Sequence, residues 1–136
     1  MKWMYREKSK EQLKNWFYSK QKNKRGFSNF QVFHDWYHEF VKDKKCHYCN
    51  ISERDIQRLV HTGKIKSKRF PSGGKLTRGV NRGYWLEIDR KNPHGKYSKE
   101  NCVPCCYFCN NDKSDIFNDI EFKKYMKGRF RYLTSL

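Results

Sequence analysis

A chain of 136 residues carries 31 lysines and arginines against 14 acids, a formal charge of +17, together with six cysteines. The length suits a single domain, and no run of eighteen apolar residues or long basic amphipathic helix is present to cross or lie on a membrane. A field this positive calls for a polyanion, so nucleic acid is the expected partner and a membrane is not. No apolar stretch follows Met1-Lys2-Trp3-Met4-Tyr5-Arg6, which leads to the expectation of a cytoplasmic protein with reduced cysteines and metal rather than disulfides.

From the N-terminus, Ser9 and Gln12 make a capping box and Leu13, Trp16 and Phe17 share a face, predicting a helix from Ser9 to about Lys20. Ser28 with Gln31 repeats the signal, and Phe30, Phe33, Tyr37, Phe40 and Val41 keep helical spacing towards Lys44. That period matches burial on one side, so the aromatics read as core and not as base-stacking platforms. This helix delivers the chain to Cys46-His47-Tyr48-Cys49. A third helix is expected from Ser52, with Asp55 completing its cap, Ile51 and Ile56 as a hydrophobic staple, and Leu59 and Val60 on the same face.

Gln57 to Leu86 contains no acid. Lys64, Lys66, Lys68, Arg69, Lys75, Arg78 and Arg82 fall there among five glycines, which reads as a loop or twisted hairpin that drapes over phosphates and makes these seven the candidate DNA-binding side chains. Tyr84 to Asp89 alternates as a strand, with Asn-Pro and His-Gly turn signals in the loop after it. Asn101 to Cys105 is a second extended piece, marked as an edge by Pro104. A helix is predicted from Tyr107 to about Ser114. One more is predicted from Asn118, with Glu121 at its third position, Phe117 and Phe122 stapling its start, and Phe122, Tyr125, Met126, Phe130 and Leu133 along its buried side.

Cys46 with Cys49, and Cys106 with Cys109, each set two thiolates about one turn apart, and two such pairs complete a closed structural zinc site. Cys102 and Cys105 have the same spacing. The helix signals that follow Cys109 favour the later pair as ligands, leaving Cys102 and Cys105 on the strand as small buried hydrophobes.

Two strands, an acid at the end of the first, and Asn110 at the opening of a helix make a zinc-held ββα unit, an α+β core with flanking α-helices. The runs Leu86-Glu87-Ile88-Asp89-Arg90 and Gly95-Lys96-Tyr97-Ser98-Lys99-Glu100-Asn101-Cys102-Val103-Pro104-Cys105-Cys106-Tyr107-Phe108-Cys109-Asn110-Asn111-Asp112-Lys113-Ser114-Asp115 resemble the HNH, or ββα-metal (His-Me finger), endonuclease family, especially its phage-type branch with paired zinc knuckles. The resemblance extends from Cys46 to about Asp115 and is densest towards its end. On that reading residues 1–45 are N-terminal helices, 46–115 the zinc-held core with a basic insertion at 57–86, and 116–136 a C-terminal helix, all in one domain.

The resemblance implies a metal-dependent endonuclease that hydrolyses DNA phosphodiester bonds, with double-stranded DNA as partner. It implies a catalytic magnesium or manganese ion held by Asp89 and Asn110, beside the structural zinc, and Asn101 bracing the loop between the strands. The residue after the metal-binding acid is ordinarily a water-activating histidine. Here it is Arg90, which keeps its proton and cannot be a general base. His94 is the first candidate to replace it, Tyr97 the second, and water activation by the metal alone the third. Arg90 is then expected to clamp the scissile phosphate. The competing functions are a catalytically inactive zinc-containing nucleic-acid-binding module on the same scaffold, and a zinc-ribbon component of a ribonucleoprotein.

Overall fold

The computed structural model describes residues 4–71, 82–126 and 128–136, so Lys75 and Arg78 of the basic window lie outside the described residues. Those residues form an α+β fold: α1 (Lys10–Ser19), α2 (Phe30–Phe40), α3 (Glu53–His61), β1 (Glu87–Arg90), β2 (Cys102–Cys105), α4 (Tyr107–Lys113), α5 (Asp119–Tyr125) and α6 (Arg129–Thr134). The Ser9/Gln12 capping box on α1 and the Asn118/Glu121 box on α5 are both formed, each satisfying two orphan amide donors. Ser52 caps α3 by accepting the Asp55 amide at 3.1 Å.

Three expectations need correction. Helix α2 is capped by Asn29 and not by Ser28: the Asn29 carboxamide accepts the Val32 amide at 3.0 Å, while Gln31 reaches forward to Asp35 at 2.8 Å. An asparagine one residue later puts its oxygen on the third helical amide and outcompetes the serine. The expected C-terminal helix is two helices. Gly128 breaks it at φ +93°, a conformation that favours glycine, and Tyr125, expected on the buried side, is 63% exposed. Strand β1 starts at Glu87 and not at Tyr84, because β2 is only four residues long and pairs Glu87 with Cys105 through to Arg90 with Cys102. Before it, the Leu86 amide donates to the buried Glu53 carboxylate at 2.9 Å and the Trp85 indole to the Arg6 carbonyl at 2.9 Å.

The hairpin lies between two apolar clusters, and strand alternation divides its side chains between them. Ile88 and Cys102 join Leu13, Phe17, Phe33 and Tyr37 of α1 and α2. Val103 and Cys105 join the cysteine cluster, Leu59 of α3 and Phe122 of α5. Trp16 stacks on Phe33 with ring centroids 5.1 Å apart, so the aromatic stripes do form core.

Cys46, Cys49, Cys106 and Cys109 come together as the spacing predicts, their sulfurs within 4.8 Å of one another and all four side chains buried. Cys49 and Cys106 approach to 3.7 Å. A zinc tetrahedron with bonds of about 2.3 Å has sulfur–sulfur edges of about 3.8 Å, so the cluster has the dimensions of a metal site. Cys102 and Cys105 sit at the two ends of β2, outside that set, and burial pushes the Cys102 thiol up to about 12. The first knuckle docks on β2 through the His47 amide, which donates to the Pro104 carbonyl at 2.8 Å.

Candidate active site

A cleft of about 660 Å³ opens where α1 faces the hairpin and α4. From β1 it receives Glu87, Asp89 and Arg90, from α4 Asn110, and from the far wall Lys8, Trp16 and Lys20. Strand alternation aims Glu87 and Asp89 at α4 and Arg90 at the loop that follows β1.

Asp89 is 6% exposed, and each of its carboxylate oxygens has a partner. Its Oδ2 accepts the Tyr48 hydroxyl at 2.6 Å, and the ammonium of Lys113, itself 0% exposed, lies 3.4 Å from Oδ1 and 3.3 Å from Oδ2. Lys113 also donates to the Arg90 carbonyl at 2.9 Å. Burial pushes the Asp89 carboxyl above the ordinary range, against the opposing pull of Tyr48, Lys113 and Arg90.

Glu87 was not singled out in the sequence, yet it is the acid that touches Asn110: the Asn110 amide donates to Oε1 at 2.8 Å. The Arg82 guanidinium grips the same carboxylate at 3.0 and 3.2 Å. A signal was available, because Glu87 lies two residues before Asp89 and a strand returns every second side chain to one face.

Arg90 donates to the Gly95 carbonyl at 2.9 Å and stacks over Tyr97 at 4.6 Å. Burial raises the Tyr97 phenol above its usual value, with Arg90 opposing. His94 is exposed, its amide donating to Asn92 Oδ1 at 3.0 Å, and it is not among the residues that line the cleft. Asn101 ties that loop down as a brace: its Oδ1 accepts the Asn92 amide at 3.0 Å, and its Nδ2 donates to the Asn92 and Lys96 carbonyls at 3.1 and 3.0 Å.

Of the basic window, Lys64, Lys66, Lys68 and Arg69 are exposed, and Arg69 donates to the Tyr107 hydroxyl at 2.9 Å. Of its described cations only Arg82 lines the cleft. Besides Arg90, the cations that line it from outside the window are Lys8 and Lys20, which carried no motif.

The chain superposes on a solved structure of the rare-cutting HNH restriction endonuclease PacI with a TM-score of 0.62, 24% identity, and coverage of 88% of this chain and 74% of that one. The two share a fold. No family model and no curated protein matches the sequence. The shared fold agrees with the ββα unit read from Leu86 to Asp115. Among the described residues no helix is long and apolar enough to cross a membrane.

Proposed function

We propose that the chain is a metal-dependent HNH-type endonuclease that hydrolyses phosphodiester bonds in double-stranded DNA, folded as one domain around a structural zinc. The observation that carries this reading is the meeting of Glu87, Asp89 and Asn110 in one cleft beside Arg90, on the fold of an enzyme that cuts DNA. The charge of +17 supplies the attraction for the polymer.

The donor set fits a hard divalent cation. Asp89 and Asn110 offer carboxylate and amide oxygens in the cleft, Glu87 adds a second carboxylate against Asn110, and magnesium or manganese takes such ligands together with water and phosphate oxygens. When bound, that ion neutralises charge on the phosphoryl group and the leaving oxygen. The chain's own residues do the rest. Arg90, a permanent cation fixed by Gly95 and Tyr97, orients the diester and stabilises the charge that develops on it. Lys113 and Tyr48 hold Asp89 in one rotamer, so the strand end is preorganised before substrate arrives. Asn101 keeps the loop carrying His94 and Tyr97 in place.

The test is plasmid nicking with magnesium, manganese and chelator, beside Asp89→Asn and Asn110→Ala. Asparagine is the gentler replacement at Asp89: it removes the charge that pairs with Lys113, but its amide oxygen can still accept from Lys113 or Tyr48, whereas alanine removes both charge and acceptor. Metal-dependent cleavage lost in both variants, with DNA affinity and zinc content retained, is the expected result. DNA binding without cleavage under any metal would replace this reading by a nucleic-acid-binding module.

A further inference from the structure

Gln12 and Trp16 of α1 lie one helical turn apart, and both line the cleft together with Lys20, the extended residue that caps the helix C-terminus. Leu13 and Phe17 bury the adjoining face of the same helix, which fixes it in place. At its end the Lys20 ammonium lies 5.1 Å from the Trp16 ring centroid and 5.0 Å from that of Tyr97. The Arg90 guanidinium lies 4.6 Å from the same Tyr97 ring. Two cations therefore share one phenol, and neither takes part in an ion pair among the described residues.

The shared ring attracts each cation, while the Arg90 charge opposes that of Lys20. Burial and then the Arg90 charge pull the Lys20 ammonium below its ordinary range, the direction expected of a cation waiting for a counter-charge. The geometry is also held from outside the hairpin: the Gly26 amide donates to the Tyr97 carbonyl at 2.6 Å, and the Tyr97 amide to the Lys24 carbonyl at 2.8 Å. A Cβ on Gly26 would lie 2.5 Å from that of Ser98, so only glycine permits this approach.

We propose that Lys20 and Arg90 form a phosphodiester-binding pair over the Tyr97 ring that both approach, with Trp16 beside Lys20, and that the C-terminal end of α1 thereby grips the DNA backbone from outside the ββα core. A diester carries two non-bridging oxygens, one for each cation, and a single negative charge relieves their repulsion. The polymer's identity rests on the nuclease reading; the anion site rests on the cleft geometry.

The test uses the full chain and a short DNA duplex in chelator, with affinity measured across a salt series for the wild type, Lys20→Gln, Lys20→Arg and Lys14→Gln. Lys14 is exposed on α1 and does not line the cleft. Lys20→Gln is expected to weaken binding by about tenfold and to flatten the slope of log affinity against log salt by about 0.9, the value of one phosphate contact. Lys20→Arg should stay within about twofold of the wild type, and Lys14→Gln should be unchanged. Wild-type affinity and slope in Lys20→Gln, or an equal loss in Lys14→Gln, would overturn the pair. Magnesium-dependent cleavage is assayed in parallel. A Lys20→Gln binding defect without wild-type cleavage upholds the pair and sinks the nuclease reading; cleavage with unaltered Lys20→Gln binding does the reverse. No duplex binding by the wild type overturns both.

Discussion

The Tyr48 hydroxyl donates to Asp89 Oδ2 at 2.6 Å, joining the middle of the first cysteine pair to the end of β1. Because Tyr48 stands between Cys46 and Cys49, the cysteine cluster and the cleft's acid belong to one buried polar unit, completed from α4 by Lys113. Such a unit is stable only when every member is paired, so the order of the cysteine cluster and the order of the cleft are physically linked.

Replacing Tyr48 by phenylalanine keeps the ring, which packs edge-on to Phe122 at 5.1 Å, and removes only the donor. Asp89 then loses one of its partners in a site almost closed to water. The expected cost is about 1–3 kcal/mol in chemical denaturation, with zinc content unchanged by metal analysis. A variant as stable as the wild type would show that the hydroxyl contributes nothing to the unit.

Lys113→Met should be worse. It leaves the Asp89 charge buried with Tyr48 as its remaining close partner, and breaking a buried pair from one side costs about 3–5 kcal/mol at neutral pH. The pH dependence has a definite sign. The folded-state value of Asp89 is already above the ordinary 3.8, and losing Lys113 raises it further, so the folded form binds the proton more tightly than the unfolded form. The lost stability should return as pH falls through the raised value towards 3.8, and disappear again as pH rises. Denaturation curves from pH 4 to pH 7 read this directly; a deficit independent of pH would place the damage in packing instead.

Serine at Cys46, Cys49, Cys106 or Cys109 should cost the protein its bound metal and unfold the centre, since structural zinc contributes on the order of 10 kcal/mol to small modules. Serine at Cys102 or Cys105 should leave one zinc per chain, because neither sulfur belongs to the cluster. Metal analysis with circular dichroism distinguishes the two groups, and a zinc loss on Cys105→Ser would mean that the ligand set has been misassigned.

The contrast between what could and could not be read from the chain has a physical basis. Cysteine spacing, capping boxes and the alternation around Asp89 are local patterns, and the cluster, α1, α5 and the hairpin follow from them. The Lys113 partner of Asp89 depends on how α4 lies against β1, which no spacing within either element reports. The same holds for Glu87 beside Asn110 and for Lys8 and Lys20, which flank α1 and line the cleft: the Glu87–Asn110 contact is made by tertiary packing across 23 positions, and the two lysines come from outside the motif. Gly128 was visible in the sequence, but the continued apolar spacing beyond it masked the helix break.

Arg90 and His94 give the sharpest test of the catalytic reading. A positioned general base is worth about 10²-fold or more in rate, and His94 lies outside the cleft lining. His94→Ala should therefore change kcat by less than about threefold, and a loss of 10²-fold would identify His94 as the base. Arg90→His separates two roles in one substitution. It removes a permanent cation stacked on Tyr97, so KM for DNA should rise, while an imidazole at the strand end supplies a group able to take a proton, so kcat should hold or increase. A fall in kcat with KM unchanged would mean that Arg90 acts on the transition state alone and does not grip the bound diester. If the wild type cleaves nothing while Arg90→His does, the strand end has the nuclease geometry but lacks its base, and the chain works as a DNA-binding module.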